Sequence, residues 1–133
     1  MIRGFDHFAI TVNDMKRSIE FYRDILGLSV LGKLVKENGI FVYLKLGTDM
    51  IELFEFDKKG KPYQAKELED IGIQHLGLKV DSVDDVTEKL KKEDVKFTLE
   101  PRSIDGVRLA FFEDPDGIFI EIIEGELDLL PYE

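Results

Sequence analysis

The chain has no cysteine. Disulfides, thiolate metal sites and cysteine nucleophiles are therefore excluded together. No apolar run approaches the ~20 residues that a membrane-spanning helix needs. Basic residues are in the minority: 18 Lys and Arg face 28 Asp and Glu, the net charge is −10, and no basic cluster stands out. Binding to a phosphate backbone depends on clustered Lys and Arg, so neither a nucleic-acid nor a membrane partner is expected. Residues 1–6 lack the apolar core and small-residue cleavage site of a secretion signal. With the missing cysteines, this points to a cytoplasmic protein. Histidine is also scarce, at two residues.

A composition of 44% hydrophobic and 35% charged residues over 133 positions fits one compact domain, or two half-domains sharing a core. The chain repeats itself. "HFAITVNDMKRSIEFYRDILGL" (7–28) aligns with "HLGLKVDSVDDVTEKLKKEDVKF" (75–97), and the two histidines superpose at an offset of 68 residues. "IFVYLKLGTDMIELFE" (40–55) then resembles "VRLAFFEDPDGIFIEIIE" (107–124), placing Glu52 on Glu121 at an offset of 69. Each half reads as a strand, a helix and further strands.

The first helix is expected to start at Asn13 or Asp14, to turn Met15, Ile19, Tyr22 and Leu26 inward, and to stop at Gly27. The second should start at Ser82, with Val83, Val86 and Leu90 inward and a strand resuming at Val95–Phe97. Ile40–Leu46 and Met50–Phe56 read as a hairpin, as do Val107–Glu113 and Ile118–Glu124 around the type I turn chemistry of Asp114-Pro-Asp-Gly117. Residues 57–72 join the halves, with a short helix expected at Ala65–Asp70.

Period-two parity places His7 on the strand face away from Phe8, Ile10 and Val12. Glu52 shares its face with Met50, Phe54 and Phe56, and Glu121 shares its face with Phe119 and Ile123. A carboxylate among phenylalanines is costly unless paired or coordinated. Glu55 and Glu124 lie on the opposite faces and serve as controls. If the halves pack about a pseudo-twofold axis, His7, Glu52, His75 and Glu121 converge. Two neutral imidazoles and two carboxylates would balance a divalent cation. Nitrogen and oxygen donors suit Ni, Zn, Co, Mn or Fe(II) without choosing among them. Such a site can hold two adjacent substrate oxygens and act as a Lewis acid.

These segments, with "MIELFEF", "IQHLGLKVDSVDD" and the DPDG-x-x-x-E run, resemble the vicinal oxygen chelate superfamily, which includes glyoxalase I. The resemblance covers nearly the whole chain. It implies an α+β fold of two tandem βαβββ modules with curved mixed sheets around a metal-binding cavity. As one glyoxalase-like domain spanning 1–133, the chain would comprise module one (4–56), a linker (57–72), module two (73–125) and a C-terminal tail (126–133). His7, Glu52, His75 and Glu121 fall on the four ligand positions of glyoxalase I. Extradiol dioxygenases and fosfomycin-resistance enzymes match only His7, His75 and Glu121, and methylmalonyl-CoA epimerases carry Gln at the place of Glu52.

The implied activity is a metal-dependent lyase or isomerase acting on a hemithioacetal through an enediolate. Glu121 is the candidate base and Glu52 the second choice. A dioxygenase, a thiol transferase or a metal-free binding protein of the same superfamily are the alternatives. Where bacterial glyoxalase I carries Arg and Asn to hold glutathione, this chain has Thr11 and Phe56, with Lys79 on the face of His75. The partners implied are a small-molecule substrate and a second copy of the chain in a homodimer.

Overall fold

The computed structural model describes residues 1–132. The chain divides into two units, Met1–Pro62 and Tyr63–Glu133. The first contains β1 (His7–Thr11), α1 (Met15–Ile19), β2 (Ser29–Lys36), β3 (Gly39–Leu46) and β4 (Asp49–Phe56). The second contains β5 (Leu76–Lys79), α2 (Val83–Lys92), β6 (Phe97–Ile104), β7 (Val107–Glu113) and β8 (Phe119–Gly125). Each unit is thus a βαβββ module, and the fold is α+β.

The modules share one topology. In the first, the strand order is β1-β4-β3-β2; in the second it is β5-β8-β7-β6. The first strand of each module pairs parallel to the last, and the other pairs are antiparallel. A parallel pair needs a crossover connection, which the helix and the intervening strands provide. The expected hairpins form, β7 over the predicted span. Between β7 and β8 the Gly117 amide donates to the Asp114 carbonyl at 3.0 Å, closing the turn.

Each helix covers one face of its own sheet. In the first module that face buries Ile10, Val12, Val42, Leu44, Ile51 and Leu53 beneath Met15, Phe21 and Tyr22. In the second it buries Leu76, Val107, Ala110, Phe112, Ile120 and Ile122 beneath Val83 and Leu90. Burying one such side chain contributes about 1.5–3 kcal/mol, so the helix-covered face dominates each module's stability.

Asp14 caps α1 by accepting from the Arg17 amide at 3.3 Å. Ser82 caps α2 by accepting from the Asp85 amide at 3.2 Å. The first helix departs from the 3.6-residue spacing: from Glu20 to Ile25 it widens into a π turn, with the Leu26 amide donating five residues back to the Phe21 carbonyl at 2.9 Å. Phe21 thereby joins Tyr22 inside, their rings meeting edge-on at 5.1 Å. Gly27, at φ +84°, ends the helix as expected. The α2 stop that sequence left open is Asp94, at φ 61°.

The helix expected at Ala65–Asp70 does not form. A single turn remains, with the Asp70 amide donating to the Glu67 carbonyl at 3.1 Å. Six residues with no apolar face to dock do not offset the cost of helix nucleation. Among the described residues, no helix is long and apolar enough to cross a membrane.

Candidate metal centre

The face of each sheet opposite its helix carries the predicted residues. In the first module, β1–β4 pairing sets His7 beside Met50 and Ala9 beside Glu52. His7 Nε2 lies 3.4 Å from Glu52 Oε1. In the second, His75 Nε2 lies 3.5 Å from Glu121 Oε1. The two carboxylates are sheltered to a similar degree, with side chains 12% and 14% exposed. The duplication visible in the sequence is therefore a duplicated imidazole–carboxylate pair. Each pair belongs to its own unit. Among the described residues, no group of three or more His, Cys, Asp or Glu gathers to hold an ion.

Neighbours that sequence reasoning passed over fix both rings. His7 Nδ1 sits 2.8 Å from Asp6 Oδ2. A carboxylate accepts only, so Nδ1 carries the hydrogen, and in the neutral ring Nε2 presents its lone pair to Glu52. His75 Nδ1 pairs likewise with Gln74 Oε1. Both Asp6 and Gln74 immediately precede their histidine, and that adjacency is the signal that would have found them. The hydrogen bond to Asp6, reinforced by the charge of Glu52, holds the His7 imidazole above its ordinary value of 6.5 despite some opposing burial.

The orientation tests the fit of a metal. In the neutral state of each ring the Nε2 lone pair faces a carboxylate oxygen, two acceptors that a proton or a cation can bridge. Two ligands about 2.1 Å from one ion, at tetrahedral to octahedral angles, stand about 3.0–3.4 Å apart. The observed 3.4 and 3.5 Å stand at and just beyond the tetrahedral end of that range. Imidazoles fixed through Nδ1 are also the usual state of metal-ligating histidine. The donor types of each pair therefore fit a divalent ion.

The control glutamates behave differently. Glu55 Oε2 accepts from the Met15 amide at 3.1 Å, and Glu124 Oε1 accepts from the Val83 amide at 2.8 Å. Each satisfies the first amide of its module's helix. On the pair-bearing face of the first sheet, Phe41, Phe54 and Phe56 form an aromatic cluster, with ring centroids 4.3–6.0 Å apart. A shallow depression edged by Lys36, Phe56 and Lys59 contains none of the four residues.

Residues 4–122 match the model of the Glyoxalase/Bleomycin resistance protein/Dioxygenase superfamily. The chain belongs to this superfamily. The vicinal oxygen chelate resemblance drawn from the sequence is the same group. Among its relatives, YaeR of Escherichia coli strain K12 is 32% identical, over 92% of this chain and 97% of its own. The lactoylglutathione lyase of Escherichia coli O157:H7 is 29% identical, over 89% of this chain and 90% of its own. The solved structure of a glyoxalase family protein from Enterococcus faecalis is 29% identical, with a TM-score of 0.78, over 92% of this chain and 98% of that one. The superfamily includes enzymes, and two βαβββ modules are its architecture.

Proposed function

We propose that the chain is a metal-dependent, glyoxalase I-like lyase that isomerises a hemithioacetal, with His7, Glu52, His75 and Glu121 holding one divalent ion. The observation that carries this is the twice-repeated pair, with Nε2 aimed at Oε1 in both modules. Two neutral imidazoles and two carboxylates neutralise a divalent charge. Ni, Zn, Co, Mn and Fe(II) all suit these donors. The likeness to a lactoylglutathione lyase agrees with the reaction type.

The bound ion would stabilise the negative charge that develops on the two substrate oxygens. The protein's own task is proton transfer. Glu121 takes the proton from C1 of the hemithioacetal, and the electron pair moves toward the C2 carbonyl. The same carboxyl group then returns the proton at C2, while the C1 hydroxyl proton passes to the C2 oxygen, giving a 2-hydroxy thioester with no net oxidation. Positioned acid–base catalysis of this kind contributes about 10²–10⁴-fold. Asp6 and Gln74 favour the tautomer with hydrogen on Nδ1, which leaves the Nε2 lone pair for an ion.

The thiol is not anchored as a charged peptide would be. Phe56 packs against Phe41 and Phe54, and Thr11 is exposed on the same face. Phe56 offers no donor and Thr11 only a neutral hydroxyl, so neither position supplies a cation to a carboxylate. We therefore assign the isomerase chemistry without assigning glutathione. A homodimer accords with the apolar side chains that β2 leaves exposed, Val30, Leu31, Leu34 and Val35 among them.

The test is turnover of methylglyoxal hemithioacetals made with glutathione and with smaller thiols, following thioester absorbance. Activity that rises on adding Ni, Co or Zn supports the assignment. Metal-loaded protein inert toward every hemithioacetal refutes it.

A further inference from the structure

The repeat makes Glu52 and Glu121 equivalent in position, and burial does not separate them. Their neighbours do. Across β3–β4, Glu52 faces Tyr43, and the Tyr43 hydroxyl hydrogen-bonds its carboxylate. Across β7–β8, Glu121 faces Phe111, which has no donor. The Phe111 ring instead meets the His75 ring edge-on at 4.8 Å. On the opposite flank, Glu52 is paired with Ala9, while Glu121 is paired with Gly77. A methyl group at Gly77 would stand only 3.3 Å from Glu121 Oε1. The second module thus omits both the hydroxyl and the methyl that confine the carboxylate in the first.

We infer that Tyr43 is a positioning residue that anchors Glu52, so that the two repeat-related glutamates are inequivalent and Glu121 is the freer carboxylate. This rests on the ligand assignment proposed above. A hydrogen-bonded carboxylate is oriented before an ion arrives and loses less freedom on binding. A carboxylate without that bond, beside a glycine, can leave the ion and accept a proton. A tyrosine hydroxyl is protonated at neutral pH and so can donate to the carboxylate opposite it. The module holding Tyr43 is then the binding half, and the other is the proton-transfer half.

Ni(II) affinity provides the test, measured by competition with a chromophoric chelator on the full chain. Glu52→Gln and Glu121→Gln are compared in the native background and with Tyr43→Phe. In the native background Glu52→Gln should weaken Ni(II) binding about tenfold more than Glu121→Gln. Tyr43→Phe alone should weaken it about tenfold, and should close the gap between the two glutamine variants. Adding Phe111→Tyr to Tyr43→Phe should shift the larger loss onto Glu121. Equal losses in the native background, or a gap that survives Tyr43→Phe, would overturn the inference. A purely structural Tyr43 would lower the melting temperature of every variant and leave that gap unchanged. Failure of the ligand assignment reads differently: native protein takes up no Ni(II), or uptake ignores both glutamine substitutions.

Discussion

Replacing Glu124 with alanine should destabilise the protein by about 2 kcal/mol, although Glu124 lies on the face away from the proposed metal centre. Val83 opens α2 and is fully buried, and its amide donates to Glu124 Oε1 at 2.8 Å. That amide is one of the helix's first donors, which have no intrahelical partner. Losing a hydrogen bond to a charged group costs about 1.5–3 kcal/mol when the donor is left unsatisfied. The lost charge at the helix N-terminus adds about 0.3–1 kcal/mol, diminished here because Asp84 and Asp85 already occupy the first turn. Partial access of water to the amide offsets some of this, leaving about 2 kcal/mol. With an unfolding entropy of about 2.1 cal/mol/K per residue, the loss corresponds to a fall of about 7 °C in Tm. Urea denaturation followed by far-UV circular dichroism measures it. Glu124→Gln keeps an acceptor oxygen and should recover about half of the loss. Glu126→Ala, in the exposed tail, should stay within about 0.5 kcal/mol of the native protein. Glu124→Ala as stable as the native protein, or Glu124→Gln as damaging as alanine, would refute the capping argument.

Other outcomes follow from the same geometry. Glu55→Ala should cost less than Glu124→Ala, about 1 kcal/mol by the same denaturation assay, because Glu55 makes the longer bond, 3.1 Å against 2.8 Å. In metal-free protein, NMR should place the His7 pKa above 6.5, and Asp6→Asn should lower it, since the Asp6 hydrogen bond is the main cause of the shift. A raised folded-state value means that the His7 contribution to stability is fully present below pH 6.5 and is lost as pH rises through the folded value. The ion competes with that proton, so metal affinity should weaken as pH falls through the same value. At saturating metal, Glu121→Gln should lower turnover about 10²–10⁴-fold, measured against a hemithioacetal substrate. Sedimentation equilibrium should give the mass of two chains, and a monomer would contradict the homodimer.

The fold was legible because its hydrophobic periods are clear and occur twice. Period-two alternation in residues 40–56 and 107–124 marks the hairpins, and Asp14 and Ser82 mark the helix starts. Repeat offset placed His7 with His75 and Glu52 with Glu121 as equivalent positions, whereas the pairing of each histidine with its glutamate comes from the β1–β4 and β5–β8 neighbourhoods. The π turn at Glu20–Ile25 was not legible, since widening one turn to admit Phe21 beside Tyr22 is a packing decision with no local signature. The short helix expected at Ala65–Asp70 failed for the converse reason: local propensity was present but no face docks it. The capping by Glu55 and Glu124 was missed because the bonded residues lie 40 and 41 positions apart. Tyr43 was missed because its partner is set by cross-strand register, which a single strand's pattern does not contain.

The decisive measurement is the metal content of protein produced without an affinity tag or metal column, by elemental analysis. One divalent ion per chain, lost from both His7→Ala and His75→Ala and restored to neither by dialysis against Ni, Co, Zn, Mn or Fe(II), is the predicted result. Native protein that holds no ion and takes up none from those solutions, or histidine variants that keep theirs, would contradict the proposed centre.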